Sequence, residues 1–344
     1  MIRPIIFFTD FHAHIFEDYA KPDPELVNDR FRAQMDTLQQ VFSIARHYGA
    51  DVVFGGDMFH KRGKIEDVVF NSVYEIVANN SDIQVHMVRG NHDSKNNTTD
   101  SPHWLETFKY LSHVRVHPKP TMTLGNGYTI AAIPYSDDIA YLKDCISTYA
   151  ETAKGIQNTV LVAHVGVDGA ETGRYSHRLE GAFTVGDLYP EAFTYVALGH
   201  YHKRQFLAGT DNVFYGGNTI QTSFSDEGQD KGVFLLDWKS KPQFIPIKNR
   251  QFITLDHIPE NVQEIVDNNY VRFILPKEQA QEVAILKEES DNIRIEIKKE
   301  YQTETRIDIG MESTEEEIVK VYTADKYPHV TQLALDILAE AKSS

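Results

Sequence analysis

Short runs of apolar residues recur through the amino-terminal part of the chain, and each run gives way to a polar motif. They occupy residues 5–8, 52–54, 85–88, 160–163 and 195–198. Runs of this length are typical of buried strands and are too short for core helices. Between the first two runs, apolar residues recur at helical spacing from Phe31 to Ala45. This alternation of strand and helix predicts a layered α/β fold whose strands end along a shared edge.

Capping residues indicate where the predicted helices begin and end. Asn28 precedes a helix that ends at Gly49, since Asn favours the amino-terminal cap and Gly the left-handed carboxyl end. Ser101 followed by Pro102 predicts a short helix that runs to Leu111. Further strands are predicted at 128–133, 213–215, 233–238, 271–275 and 293–297, and further helices at 65–79, 136–153 and near 279–289.

A change of character near Arg250 predicts three parts. Residues 1–248 carry every polar motif that follows a strand. Residues 249–310 hold no candidate ligand cluster and are interpreted as a small α+β accessory domain. Residues 311–344 are interpreted as a linker and an amphipathic helix, predicted either to pack on the chain's own body or to dock on a partner's helix. The apolar stripe of this helix is Val330, Leu333, Ala334, Ile337, Leu338 and Ala341.

Nitrogen and oxygen donors follow the predicted strands. They are Asp10, His12, Asp57, Asn91, His164, His200 and His202. Such donors without a thiolate suit Mn²⁺, Fe, Zn²⁺ or Mg²⁺. Their number exceeds one tetrahedral site and predicts two ions bridged by the Asp57 carboxylate, an arrangement suited to phosphate-ester hydrolysis. One ion is assigned to Asp10, His12, Asp57 and His202, and the other to Asp57, Asn91, His164 and His200.

Three further residues near these motifs are predicted to be catalytic. His92 follows the ligand Asn91, so its side chain is expected to point elsewhere and to protonate the leaving group. Asp93 is expected to orient His92, and His60 to contact the substrate phosphate. The other histidines, His14 included, are interpreted as structural, except His177, which is expected to line the site.

The distribution of charged residues along the chain indicates more about the substrate than the net charge does. The formal net charge of −16 argues against a surface that is basic throughout, as a DNA-coating protein would have. Positive residues nevertheless cluster beside the motifs, and a basic rim suits a polyanionic substrate; the alternative is that they are solvated loop residues. With His177, the predicted substrate-binding residues are Lys61, Arg62, Lys95, Arg174, Arg178, Lys203 and Arg204.

The remaining composition predicts a cytoplasmic protein that does not bind membranes. Its single cysteine, Cys145, excludes an internal disulfide, which agrees with a reducing compartment. No apolar run approaches the length of a membrane span, and the amino terminus lacks the features of a signal peptide.

The five polar motifs resemble those of the calcineurin-like metallophosphoesterases, whose pattern is D-x-H, G-D, G-N-H-D/E, H and G-H-x-H. Additional segments resemble the SbcD-type branch, the nuclease subunits of DNA double-strand-break repair complexes, which includes short phage-encoded recombination nucleases. The resemblance covers about residues 1–245. The segments specific to this branch are 56–60 (GDMFH), 134–135 (PY), 215–218 (YGGN), 223–227 (SFSDE) and 231–232 (KG).

This resemblance implies a two-sheet α/β sandwich with a carboxyl-terminal capping domain and a terminal helix for partner docking. It implies Mn²⁺-dependent exonuclease and endonuclease action at DNA ends, a homodimer, and an SbcC-type coiled-coil ATPase partner. The sequence contains no G-x-x-x-x-G-K-[ST] motif, so any ATP dependence has to come from that partner.

Three alternatives stay open on the sequence alone. A phosphomonoesterase or small-molecule phosphodiesterase would keep the fold and change the substrate. A barrel hydrolase would use His12 and His14 as an H-x-H motif, but it would not explain the order of the later motifs. A catalytically silent DNA-end-binding scaffold would not need His92 beside the ligands.

Overall fold

Strands and helices alternate through most of the chain, as the apolar pattern predicts. The computed structural model describes residues 2–171, 182–207, 209–289, 293–297 and 313–343. Within them the strands are β1 Ile5–Phe8, β2 Pro22–Asp23, β3 Val27–Asn28, β4 Asp51–Phe54, β5 Val85–Val88, β6 Val114–His117, β7 Thr121–Leu124, β8 Thr129–Ile133, β9 Thr159–His164, β10 Tyr195–Gly199, β11 Gln205–Phe206, β12 Val213–Tyr215, β13 Gly232–Leu236, β14 Gln243–Pro246, β15 Phe252–Leu255, β16 Tyr270–Leu275 and β17 Ile293–Ile297. The α-helices are α1 Asp29–Tyr48, α2 Asp67–Asn79, α3 Ile139–Ala153, α4 Val262–Asn268, α5 Lys277–Glu289, α6 Glu315–Lys326 and α7 Thr331–Ser343.

Two six-stranded sheets pack face to face. Their strand orders are β14-β13-β1-β4-β5-β6 and β11-β12-β10-β9-β8-β7. Apolar side chains of both sheets fill the space between them, among them Phe7, Val53, Val162 and Phe214. Helices α1 and α2 cover the outer face of the first sheet, and α3 covers that of the second. The predicted two-sheet α/β sandwich is confirmed, with β1, β4 and β5 in one sheet and β9 and β10 in the other.

Local sequence signals predict both ends of helix α1 correctly, but they misplace the start of a later helix. The side chain of Asn28 accepts a hydrogen bond from the Phe31 amide at 2.8 Å, and Gly49 ends the helix at φ 60°, so both predicted caps are confirmed. The helix predicted from Ser101 is instead a 3-10 helix over Trp104–Tyr110. Its start is displaced because the Ser101 hydroxyl accepts a hydrogen bond from the Asn96 amide, outside the helix.

A third, parallel sheet follows the sandwich in the order β15-β16-β17. It has its own apolar cluster, which includes Val266, Val271, Phe273, Leu275 and Val283. The sandwich and this sheet belong to one compact unit, Met1–Ile297. The boundary of the accessory domain at 249–310 therefore stays a prediction, and part of that range lies outside the described residues.

The second compact unit, Lys298–Ser344, contains α6 and α7. Helix α6 begins at a capping box, in which the hydroxyl of Thr314 accepts a hydrogen bond from the Glu317 amide and the Glu317 carboxylate binds back. On α7, Leu333 and Ile337 are 60% and 59% exposed. Residues 311 and 312 of the predicted linker lie outside the described residues. In the part of the chain that the structure describes, no helix has the length and apolar character needed to cross a bilayer.

A buried histidine pair predicts that acid weakens the fold. His86 on β5 and His117 on β6 stack with ring centroids 5.4 Å apart, and Nδ1 of His86 lies 3.1 Å from Nε2 of His117. Burial lowers the pKa of His86 to about 3 and that of His117 to about 4. Both pKa values lie below that of an unfolded histidine, so the unfolded chain binds more protons, and stability present above pH 6.5 is lost as the pH falls.

We expect the free energy of unfolding to fall between pH 6 and pH 4 by about 1.4 kcal/mol per pH unit for each of these histidines. The substitution His86→Gln should make this pH dependence shallower in denaturant titrations at several pH values. The exposed His257 offers the matched control, because His257→Gln should leave the slope unchanged. Equal slopes in all three proteins would contradict the prediction.

Candidate metal centre

The polar loops after five strands meet at one end of the sandwich. The loops after β1 and β4 run side by side: the Asp10 amide donates to the Gly56 carbonyl at 2.9 Å, and the His12 amide donates to the Asp57 carbonyl at 3.0 Å. Asn91 follows β5 in the same sheet, while His164 ends β9 in the opposite sheet. The site is therefore built from both sheets and lies across the seam between them.

The backbone at this end of the sandwich adopts an unusual conformation. Asp10, His12, Asp57 and His200 have φ values of 51°, 51°, 62° and 105°. Residues with a Cβ atom rarely adopt positive φ, and such strain concentrates at functional sites. The turns direct these side chains into the space beyond the strand ends, which a regular strand would not do.

Two glycines allow the loops to approach the side chains closely. A Cβ atom on Gly90 would collide with Oδ1 of Asp57, and one on Gly56, where φ is 110°, would collide with Nδ1 of His164. The glycine in each motif is thus required by packing against a predicted ligand.

Asp10, His12 and His202 form one side of the cluster. Nε2 of His12 lies 3.0 Å from Nε2 of His202, and each of these nitrogens lies 4.0 Å from Oδ1 of Asp10. The Asp10 carboxylate is fixed by the hydroxyl of Thr9, which donates to Oδ2 at 2.8 Å, and by the amide of His200. These three predicted ligands therefore present their donor atoms to one another.

Asn91, His164 and His200 form the other side, and Asp57 lies between the two sides. Oδ1 of Asn91 lies 3.0 Å from Nε2 of His164 and 3.2 Å from Nδ1 of His200. Oδ2 of Asp57 lies 3.3 Å from Nε2 of His164 and 3.9 Å from Nε2 of His12. The structure thus brings all seven predicted ligands together, with Asp57 in the bridging position; their roles as ligands stay predictions.

The donor set fits two divalent ions. Nδ1 of His164 contacts the backbone carbonyl of Gly55 at 2.9 Å, which fixes the tautomer and directs Nε2 into the cluster, as in metal-binding histidines. Two groups of residues contain a carboxylate and have donor atoms that all lie within 4.8 Å of one another. One group is Asp10, His12 and His202, and the other is Asp10, Asp57 and His164. Nitrogen and oxygen ligands of this kind suit Mn²⁺, Fe or Zn²⁺, and they do not single out one metal.

The electrostatics of the cluster favour a positive charge beside Asp57. Burial raises the pKa of Asp57, but His164 outweighs that effect, and the pKa lies below its usual range. Burial lowers the pKa of His164, but Asp57 outweighs it and raises the pKa to about 9. By contrast, burial lowers the pKa of His200 to about 3 and that of His12 well below normal. A divalent ion would take the place of the proton that Asp57 stabilises on His164.

His92 and His60 lie beside His12, and one donor atom from each of these three histidines lies within 4.8 Å of the other two. The ring of His92 lies 4.9 Å from that of His12, and His60 lies 5.5 Å from it. Nδ1 of His92 contacts the backbone carbonyl of His60 at 2.5 Å, so Nδ1 carries the proton and Nε2 is turned away from this contact. The His60 segment therefore orients His92.

Asp93 does not orient His92, which corrects the sequence-based assignment. Its buried carboxylate accepts hydrogen bonds from the amides of Asp57 at 2.9 Å, Met58 at 2.8 Å and Gly90 at 2.9 Å. The correction follows from the direction of the side chain, since neighbouring residues in a loop point to different sides. Asp93 instead joins the loops that carry Asp57 and Asn91, and so supports the ligands.

His14 lies next to the predicted catalytic residue His60, although sequence reasoning interpreted it as structural. Its ring stacks on that of His60, with centroids 5.2 Å apart, and its backbone is held on both sides by the Gln34 side chain, at 3.0 Å and 2.8 Å. The side chain of His14 is 14% exposed. The available signal was the repeat His12-Ala13-His14, which places a second imidazole beside a ligand.

The predicted basic rim is only partly free to meet a substrate. Lys61 pairs with Glu66 at 3.2 Å, and Lys203 pairs with Glu171. The Arg204 guanidinium lies 3.9 Å from the centre of the Phe244 ring. Arg62 and Lys95 instead line an open groove of about 830 Å³ beside the loops of His60 and Asn91, which three aspartates, Asp100, Asp137 and Asp138, also line. Arg174, His177 and Arg178 lie outside the described residues.

Solved structures resemble the sandwich only distantly. The chain is 11% identical to a dimetal phosphatase from Danio rerio, over 68% of this chain and 92% of that one, with a TM-score of 0.40. It is 14% identical to the calcineurin-like phosphoesterase YfkN from Bacillus subtilis, over 63% and 81% of the two chains, with a TM-score of 0.37. It is 14% identical to a 5'-nucleotidase precursor from Thermus thermophilus, over 70% of this chain and 52% of that one, with a TM-score of 0.36. Likeness at this level carries no argument about substrate.

The sequence profile described as calcineurin-like phosphoesterase matches residues 3–204. This segment is more than half of the chain and contains all seven predicted ligands, so the predicted resemblance to that family is confirmed. The chain belongs to the calcineurin-like phosphoesterases, a family that uses two divalent metal ions to hydrolyse phosphate esters.

Proposed function

We propose that the protein is a metal-dependent DNA nuclease of the SbcD type that cleaves phosphodiester bonds at DNA ends. The observation that carries this proposal is the position of His60. It closes the GDMFH segment, one of those that resemble the SbcD-type branch, and its backbone carbonyl holds His92 at 2.5 Å. Two further such segments contact the cluster, since the Tyr135 ring lies 5.5 Å from that of His200 and Lys231 binds the His202 carbonyl.

The reaction divides between the ions and the side chains around them. Two divalent ions, for which we propose Mn²⁺, supply Lewis-acid activation of water and of the scissile phosphate when bound. As an imidazolium that carries a proton on each nitrogen, His92 donates the proton on Nε2 to the leaving oxygen, while its Nδ1–H stays bound to the His60 carbonyl. The stacked rings of His60 and His14 contact the phosphate group of the substrate. Asp93 keeps the loops of Asp57 and Asn91 in register during the reaction.

The groove lined by Arg62 and Lys95 supports a polymeric substrate. Arg62 donates to Oδ1 of Asn97 at 2.9 Å and remains exposed, and Lys95 is exposed as well. These two cations lie beside the catalytic loops and suit the phosphate that follows the scissile one along a strand, while Asp100, on the same groove, pairs with Lys119. Lys61, Lys203 and Arg204 contribute only if the substrate displaces their present contacts, since surface ion pairs are weak.

The proposed assembly is a homodimer with an SbcC-type coiled-coil ATPase. The exposure of Leu333 and Ile337 on one face of α7 supports docking of this helix on a partner, because exposed apolar stripes mark interaction surfaces. The sheet β15-β16-β17 is proposed as the capping domain. The cytoplasmic location is likewise proposed on the grounds given by the sequence.

Hydrolysis of a small phosphate ester is the second candidate. It is favoured by the net charge of −16 and by the carboxylates that already pair with Lys61 and Lys203. A long polyanion is repelled by an acidic surface, whereas a small ester reaches the cluster without crossing much of it.

Nucleotide release from linear duplex DNA separates the two functions. We expect Mn²⁺-dependent release from the linear duplex and little from a covalently closed duplex, because the proposed nuclease acts at ends. The charge reversal Lys95→Glu should raise KM for DNA several-fold while leaving hydrolysis of bis-nitrophenyl phosphate near the wild-type rate. The matched control is Lys241→Glu, a change at an exposed lysine that pairs with Asp211 away from the site.

Hydrolysis of the small diester alone, with and without an SbcC-type ATPase, would overturn the DNA-nuclease proposal and leave the family assignment intact. Equal loss of DNA cleavage in Lys95→Glu and Lys241→Glu would instead show a general charge effect and remove the groove from the proposal.

A further inference from the structure

His202 is held less by side-chain packing than the ligands around it. Its side chain is 36% exposed, compared with 3% for His12 and 0% for Asp10 and His164. Its Nε2 nevertheless lies 3.0 Å from Nε2 of His12 and so belongs to the cluster of donor atoms. Only one side of the ring contacts the cluster, through His12, so the backbone of His202 contributes to where the ring lies.

The backbone carbonyl of His202 is held from two sides. Nζ of Lys231 donates to it at 3.0 Å, and the amide of Asn218 donates at 3.2 Å. The chain approaches closely here, because a Cβ atom on Gly217 would lie only 2.8 Å from the same carbonyl oxygen. An unusually tight contact therefore joins the loop of His202 to the segment that begins after β12.

Lys231 is a buried lysine whose hydrogen-bonding capacity is fully used. It is 6% exposed, and its three ammonium protons meet the His202 carbonyl, Oδ1 of Asp226 at 3.2 Å and Oε1 of Gln229 at 2.8 Å. This geometry leaves the ammonium no freedom to move away from His202.

Asp226 completes the network on the opposite side of the ammonium group. It is 2% exposed, and its second oxygen, Oδ2, accepts from the side chain of Asn218 at 3.1 Å and from the amide and hydroxyl of Thr222 at 2.8 Å and 3.0 Å. Asn218 thus binds both Asp226 and the His202 carbonyl. The carbonyl, the ammonium and the carboxylate belong to one buried, interconnected set.

Stability alone does not account for a buried ion pair at this place. Desolvating two charges costs about as much as their attraction returns, so an apolar pair of the same size is often as stable. A lysine near a cation-binding cluster is also unfavourable unless a carboxylate neutralises it. A positioning function would account for the pair at this place.

We propose that Lys231 and Asp226 are positioning residues that hold His202 in the orientation needed to bind one of the two metal ions. Supports of this kind are worth about 10–100-fold in metal affinity in other metal sites. The proposal rests on the metal dependence of the family and not on DNA as the substrate. A metal titration needs no substrate, so its failure is distinct from failure of the nuclease proposal.

Calorimetric titration of the metal-free full chain with Mn²⁺ tests this proposal. Wild-type protein should bind two ions, and Lys231→Met should bind one ion unchanged and the other about 10–100-fold more weakly. The double variant Lys231→Met with Asp226→Leu replaces the ion pair by apolar groups and should regain thermal stability without regaining metal affinity. That separation distinguishes positioning from a merely structural role.

Glu227→Gln is the matched control, because the adjacent Glu227 binds Thr254 of the third sheet and not Lys231. It should bind both ions as the wild type does. Asp226→Asn, which keeps the native shape, decides the test if the methionine variants do not fold. Wild-type affinity for both ions in a folded Lys231→Met, double or Asp226→Asn variant would overturn the proposal.

Discussion

Replacement of Asp57 by alanine should remove both metal ions and with them all measurable hydrolysis. Oδ2 of Asp57 lies 3.3 Å from Nε2 of His164 and 3.9 Å from Nε2 of His12, so one carboxylate serves both sides of the cluster. The substitution also removes the negative charge that favours a cation beside His164. Metal analysis after dialysis against Mn²⁺ should give two ions for the wild type and none for Asp57→Ala.

A carboxylate at the start of β4, the strand that precedes Asp57, provides the control for this experiment. Asp51 begins β4 and is buried like Asp57, but it binds Arg3, Asn126 and Tyr128 at the far end of the strand. Asp51→Asn should change thermal stability and leave two bound ions. One tightly bound ion and residual hydrolysis in Asp57→Ala would show that Asp57 belongs to a single site and is not a bridge.

Replacement of His92 by glutamine should reduce kcat by about 10²–10⁴-fold and leave metal binding intact, because positioned acids contribute rate factors of this size. His92 touches the cluster through its backbone amide, which donates to Oδ1 of Asp57 at 2.7 Å, and this contact survives the substitution. Single-turnover cleavage of a DNA duplex or a simple alkyl phosphodiester measures the effect on chemistry directly.

The leaving group provides an internal check on the role of His92. A nitrophenolate leaves without protonation, so the loss in His92→Gln should be much smaller for a nitrophenyl ester than for an alkyl ester. The exposed His47→Gln, at the end of α1, is the matched control and should resemble the wild type with both esters. An equal loss with both esters would assign His92 to substrate binding or metal support, and not to proton donation.

Much of this site could be predicted because strand ends are readable in sequence. Each apolar run is followed by a ligand motif, and parallel strands place their carboxyl ends at a common edge. The caps of α1 at Asn28 and Gly49 also depend only on nearby residues, and both were predicted. The runs do not encode which strands pair. The resemblance implied only that there are two sheets, and the division of β1, β4 and β5 from β9 and β10 is given by the structure.

The errors and omissions share one physical cause, which is side-chain direction in irregular loops. Asp93 follows His92 directly, yet it points back toward the amides of Asp57 and Gly90. His14 reaches His60 because Gln34, on a helix, holds its backbone. The Lys231 contact to His202 likewise depends on a fold of the chain between β12 and β13. Periodicity carries no information on any of these directions.

The origin of the site from both sheets affects how the protein is made in the cell. His12 and His202 meet at 3.0 Å although they are 190 residues apart in the chain, and Lys231 follows later still. Contacts of such long range form late in folding, and a chain emerging from the ribosome contains the first ligands long before the last. We therefore expect an incomplete nascent chain to be inert, and hydrolysis to become possible only after the second sheet has been synthesised and packed.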